Sequence, residues 1–169
     1  MAMILGVGNT LLKDEGIGIH LLNYIKSKNP QWPSGDNSCE NSCEKIEMID
    51  GGTLSFDLLS SIRAEQNLIV LDAVNLKQPP GTVYCFQDQE VDEFLSQPGK
   101  SVHEVSLQDL FDMSRLVEQL PQKRALIGIQ PETIDWGSDL TPIVHSALAE
   151  AECQVKQILE QWGSLQHEK

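Results

Sequence analysis

Apolar side chains fall along this chain in two rhythms. Residues 2–7, Ala-Met-Ile-Leu-Gly-Val, are a short apolar run ending in glycines and predict a buried strand. Residues 68–71, Leu-Ile-Val-Leu, form a continuous run that stops at Asp72, the pattern of a central strand covered on both faces. Residues 46–49 alternate and end at Asp50-Gly51-Gly52, residues 82–86 follow the turn Pro79-Pro80-Gly81, and residues 125–129 complete the predicted strands. Between them the spacing changes to three and four. After a loop at 8–14, a helix over about 15–27 turns Ile17, Leu21, Leu22 and Ile25 inward. A short helix within 54–62 buries Leu58, Leu59 and Ile62. A further helix starts near Ser106, capped by its hydroxyl with Asp109 three residues on, and buries Leu110, Met113, Val117 and Leu120. The last helix takes Thr141 as cap, Pro142 in its first turn and Gly163 as its stop; Val144, Leu148, Ala151, Val155, Ile158 and Trp162 form its inner face.

This alternation of strand and helix predicts an α/β fold, a sandwich with a mostly parallel sheet. Residues 30–44 break the rhythm. They are rich in Pro, Ser, Asn, Asp and Gly and repeat Asn-Ser-Cys-Glu at 37–40 and 41–44, which predicts an exposed loop inserted into one domain spanning 1–169. A chain of 169 residues buries roughly 70% of its unfolded surface on folding, so stability needs neither metal nor disulfide.

Charge narrows the partners. The net charge of −13, from 25 acidic and 12 basic side chains, argues against nucleic acid and against anionic membrane surfaces. The first residues carry no basic stretch or small-residue cleavage site, and no apolar run approaches the roughly 20 residues of a membrane span. Cys39, Cys43, Cys85 and Cys153 are therefore expected as reduced thiols in the cytoplasm, in a monomeric protein.

In open α/β sheets ligands bind beyond the carboxyl ends of the strands. Glu15 follows the first predicted strand, Asp50 ends the second and Asp72 ends the third. If those strands are parallel neighbours, the carboxylates converge on one crevice, and such clusters persist where a cation or a shared proton offsets their repulsion. Each acid also has a structural reading. Asp14 suits a helix cap with Glu15 at the positive end of the helix dipole, and Asp50 suits its own Gly-Gly turn. Of the four histidines, His103 stands in a polar loop just before a helix, a position from which it can reach the crevice; His20, His145 and His167 do not. Glu, Asp and His together are a ligand set for nickel, zinc or manganese. Cys39 and Cys43 have no partner pair and read as solvated loop. Gly6-Val7-Gly8 after a strand lacks the third glycine of a dinucleotide fingerprint, because Leu11 stands there. The sequence contains no Gly-x-Ser-x-Gly elbow and no His-Glu-x-x-His.

Residues 6–18, Gly-Val-Gly-Asn-Thr-Leu-Leu-Lys-Asp-Glu-Gly-Ile-Gly, resemble the opening signature of hydrogenase maturation endopeptidases. Asp50-Gly51-Gly52-Thr53, Leu71-Asp72-Ala73 with Pro80-Gly81-Thr82, Ser101-Val102-His103, residues 128–132 and Leu140-Thr141-Pro142 resemble the later motifs of that family, in the same order. The resemblance spans essentially the whole domain, although the loop at 30–44 is longer than is usual there. It implies a twisted five-stranded sheet packed between helices, a three-layer sandwich. It implies a peptidase that removes a C-terminal extension from the large-subunit precursor of a [NiFe] hydrogenase, acting after nickel has been inserted. It carries metal binding over to Glu15, Asp72 and His103, and makes Asp50 a further acid tied to activity, with catalysis expected from Asp50 and Asp72. Nickel is then carried by the precursor, and other divalent ions can occupy the site; no organic cofactor is expected. Two rival readings stand beside it: a non-cleaving assembly module that checks nickel with the same three ligands, and a nucleotide-binding domain suggested by the Gly-x-Gly turn.

Overall fold

The structure is a computed structural model that describes residues 1–30, 32, 46–54, 56–99 and 107–164. The predicted inserted loop and its two cysteines lie almost wholly outside those residues, as do His103, Ser106 and His167. The strands are β1 (Ala2–Gly6), β2 (Ile46–Asp50), β3 (Asn67–Ala73), β4 (Val83–Gln87) and β5 (Arg124–Ile129). The helices are α1 (Ile17–Lys28), α2 (Gln89–Leu95), α3 (Leu107–Leu116), α4 (Pro142–Ser146) and α5 (Leu148–Gln161).

The strands form one sheet in the order β2-β1-β3-β5-β4. β1 runs parallel to β2 and β3, and β3 runs parallel to β5. β4 is antiparallel to β5. The reason lies in the connection: residues 74–82 are too few for the crossover of a dozen or more residues that a parallel strand needs, so the chain turns back from the same edge.

Period-two alternation sends successive side chains of the central strands into two different cores. Ala2 and Ile4 of β1, and Ile69, Leu71 and Ala73 of β3, join Ile17, Leu21, Val155 and Leu159 of α1 and α5. Met3 and Leu5 of β1, and Leu68 and Val70 of β3, join Phe94, Leu107 and Phe111 of α2 and α3. The expected helix–sheet–helix sandwich follows. On the first face, Asn29 Nδ2 donates to Glu152 Oε1 at 2.8 Å and Lys156 Nζ pairs with the same oxygen at 2.8 Å, tying the end of α1 to α5. Burial pushes the Glu152 carboxyl up, but the hydrogen bonds from Lys156 and Asn29 and the charges of Lys156 and Lys28 outweigh it and hold it below its ordinary value.

Several expected elements differ. The first helix begins with a 3-10 turn, Lys13–Gly16, and becomes α-helical only at Ile17. The short helix is a 3-10 segment, Phe56–Ser60, in which Leu58 and Leu59 are half-buried. α2 was not expected, although Val91, Phe94 and Leu95 have the spacing of a buried helical stripe. α3 buries Leu107, Leu110, Phe111 and Ser114 and leaves Met113 exposed, and Val117, just beyond its end, is exposed too. Ser114 tolerates that place because its hydroxyl donates to the Leu110 carbonyl at 2.7 Å. The last helix divides at Ala147 into α4 and α5.

Candidate active site at the carboxyl edge of the sheet

From β1 the chain passes through α1 to β2 on one side, and from β3 it proceeds towards β4 and β5 on the other. The strand order therefore reverses between β1 and β3, and in open α/β sheets the ligand crevice lies at such a point, beyond the carboxyl ends. Glu15, just after β1, and Asp72, near the end of β3, flank this seam.

Close backbone packing builds the seam. Val7 N–H donates to the Leu71 carbonyl at 2.9 Å, and Gly8 N–H donates to the Gly52 carbonyl at 2.8 Å. A side chain at Gly18 would run into the carbonyl oxygens of Leu71 and Val7. A side chain at Gly8, whose φ is +143°, would run into the Glu15 carbonyl. These two glycines let the Glu15 turn and the start of α1 press directly onto the ends of β1 and β3.

Both flanking carboxylates are buried: Glu15 is 7% exposed and Asp72 is 2% exposed. Asp72 shares the parity of Leu68 and Val70, so it belongs to the face covered by α2 and α3. Asp50 stands differently. It ends β2 opposite Gly6, is exposed, and accepts the Gly52 N–H on Oδ1 at 2.9 Å, so its structural role as a turn brace is real. Two strand spacings separate its backbone from β3, about 10 Å. It shares the parity of Ile46 and Met48, on the opposite face from Asp72. The structure thus brings Glu15 and Asp72 to one seam and leaves Asp50 at its rim. Among the described residues, no group of three or more His, Cys, Asp or Glu side chains could hold a metal ion, and the expected third ligand, His103, lies outside them.

Asp14 is not the helix cap that the sequence suggested. It is fully buried, and Oδ2 accepts from Glu132 N–H at 3.0 Å, Thr133 N–H at 3.1 Å and the Thr141 hydroxyl at 2.8 Å. Its Oδ1 accepts from Thr141 N–H at 2.8 Å. Thr141 in turn makes no side-chain cap to α4, because its hydroxyl is committed to Asp14. Asp14 therefore fixes the loop after β5 against the loop after β1, and so shapes the crevice without entering it.

The remaining described candidates lie elsewhere. His20 is half-buried on α1, and His145 is exposed on α4. Cys85 is a poor nucleophile: burial first, and then the charge of Glu90, push its thiol up to about 11 against a hydrogen bond with Gln87.

The fold is thus a five-stranded α/β sandwich with two buried carboxylates, Glu15 and Asp72, at the switch point of its sheet. Residues 37–161 match the family model described as hydrogenase maturation protease, and the chain belongs to that family and is an endopeptidase. It is 31% identical over 164 residues to the hydrogenase 2 maturation protease of Escherichia coli strain K12, covering 95% of this chain and 92% of that protein. It is 29% identical over 166 residues to the hydrogenase expression/formation protein HoxM of Cupriavidus necator, covering 98% of this chain and 77% of the relative. Among solved structures, the hydrogenase maturating endopeptidase HybD from E. coli superposes with a TM-score of 0.80 at 32% identity, covering 96% of this chain and 94% of that one.

Proposed function

We propose that this endopeptidase removes the C-terminal extension of a [NiFe] hydrogenase large-subunit precursor once nickel has been inserted. The observation that carries this reading is the pair Glu15 and Asp72, buried from opposite sides of the β1/β3 seam. Clustered carboxylates persist where a cation or a shared proton offsets their repulsion. Nickel held by the precursor is such a cation, and it is part of the substrate. His103 completes an oxygen–nitrogen donor set suited to nickel. Its position in the sequence supports this, since Leu107 opens α3 on the face that Asp72 shares.

A set of so few ligands reads a metal that another protein already holds. Docking then fixes the scissile peptide beside the crevice, which turns an encounter into an oriented, effectively intramolecular step. In hydrolysis a carboxylate takes a proton from water as the oxygen adds to the scissile carbonyl carbon. The tetrahedral intermediate expels the amine, which receives the proton, and the C–N bond breaks. Asp50, exposed at the rim, is open to water for the general-base role, with Asp72 assisting from the seam. Nickel polarises the carbonyl when the precursor presents it. The acidic net charge of −13 supports a protein with no nucleic-acid or anionic-membrane partner, its cysteines fit a reducing cytoplasm, and no helix among the described residues is long and apolar enough to cross a membrane.

The test is intact-mass spectrometry of the precursor before and after incubation with the purified chain, with and without nickel. Loss of the extension from the nickel-loaded precursor alone is expected. Equal cleavage of both forms would refute nickel reading, and binding without any loss of mass would make the protein a checking module.

A further inference from the structure

Three large apolar side chains stand in water beside the seam: Leu11 is 59% exposed, Ile134 45% and Trp136 77%. Scattered apolar exposure is ordinary, but backbone holds Leu11 beside Trp136, and Ile134 stands two residues before Trp136 on the same loop. Gly137 N–H donates to the Leu11 carbonyl at 3.0 Å and Lys13 N–H donates to the Gly137 carbonyl at 2.7 Å. Leu12 and Gly137 pair in parallel, which sets Leu11 and Trp136 next to each other in register. The loop bearing Trp136 is fixed a second time by the Asp14 carboxylate, which holds Glu132, Thr133 and Thr141. The same strip leads straight into the seam, since Glu15 N–H donates to the Leu12 carbonyl at 3.1 Å. A tryptophan kept exposed by a doubly pinned loop is a preorganised anchor: little ordering entropy is lost when a partner covers it.

Charge states what that partner is. Residues 131–141 hold Glu132, Asp135 and Asp139, all exposed, and the cation beside them is Lys13, whose side chain lies along Gly137, so the acids are in excess. An apolar platform with an acidic rim suits a peptide whose apolar side chains are flanked by basic ones.

We propose that Leu11, Ile134 and Trp136 form a docking platform for an apolar, lysine- or arginine-bearing segment of the precursor next to its scissile bond. This rests on the proteolytic reading above. The platform sets affinity, and the carboxylates of the seam set the chemistry.

Steady-state cleavage of the nickel-loaded precursor tests it, with equilibrium binding of the same precursor measured in parallel. Trp136→Ala should raise KM and Kd about tenfold or more, the scale of an interface anchor, and leave kcat within about twofold. Its Tm should not move, because the side chain packs on little of its own protein. Ile134→Asp, made independently, should weaken binding in the same direction. The double variant Asp135→Asn with Asp139→Asn should flatten the rise of KM with added salt. Unchanged KM and Kd in Trp136→Ala overturn the platform. So does a dimer of the wild type that Trp136→Ala dissolves without changing KM, which makes the patch a contact between copies. A wild type that binds the precursor without cutting it refutes the proteolytic reading, while Kd still judges the platform.

Discussion

At the amino end of the sheet, where β5 begins, Arg124 Nη2 donates to Asp92 Oδ2 at 2.6 Å and its Nη1 donates to the Pro121 and Gln122 carbonyls, each at 3.1 Å. Arg115 also pairs with Asp92, at 3.2 Å, so one aspartate joins α2, α3 and β5. At the carboxyl end the pattern is different. Glu15 and Asp72 come buried from two chain segments, Asp50 and the acidic loop at 131–141 add carboxylates at the rim, and a tryptophan stands in water. The amino end joins elements to one another with matched charge. The carboxyl end holds carboxylates in excess of the lysines Lys13 and Lys77 in its loops, an excess that a positively charged partner can satisfy. A carboxylate's task is set by what faces it: Asp92 is a strut because arginines meet it, and Asp14 is a strut because backbone N–H groups meet it.

Function and stability should therefore separate by end. The largest effect is expected for Asp72→Asn, nearly the same in shape but without the charge. Cleavage of nickel-loaded precursor should fall on the order of a hundredfold or more, the scale of losing one group that meets charge at a reacting centre, with Tm held. Wild-type rates in that variant would remove Asp72 from the site. Arg124→Ala should do the reverse: a stability loss of about 2–3 kcal/mol in denaturant titration, with kcat/KM unchanged in the folded protein. A change in kcat/KM as large as that of Asp72→Asn would dissolve the distinction between the two ends.

The smallest effect belongs to Glu152→Gln, which leaves the side chain in place and removes its charge. The folded carboxyl lies below its ordinary value of 4.5, so its stabilising contribution is fully present above that value and is lost as pH falls through the lowered one. The variant should be less stable than wild type at neutral pH, by about 1 kcal/mol. The two should converge as pH drops well below 4.5. Parallel Tm curves across that range would remove Glu152 from the acid response.

Much of this fold was legible in the sequence for a simple reason. β1 and β3 feed cores on both faces, so nearly every position is apolar and the run stands out. What was hidden depends on partners far along the chain. Thr141 looks like a cap locally, but its backbone and hydroxyl both go to Asp14, 127 positions away. Met113 and Val117 continue a plausible stripe from Leu110, yet the packed stripe runs through Phe111 and Ser114, a phase that a serine conceals. The division of the last helix at Ala147 has neither glycine nor proline to mark it. In the site, Glu15 and Asp72 could be placed at strand ends by pattern alone; that Asp50 takes the opposite face depends on register, which only the paired strands fix.

The most direct measurement is anomalous diffraction from a crystal of this protein soaked with a divalent transition ion in place of the precursor's nickel. A single strong peak within bonding distance of both the Glu15 and Asp72 carboxylates, with His103 as a third ligand, is the expected result. A peak at any other group of side chains, or full occupancy that survives Asp72→Asn, would contradict a metal-reading seam between β1 and β3.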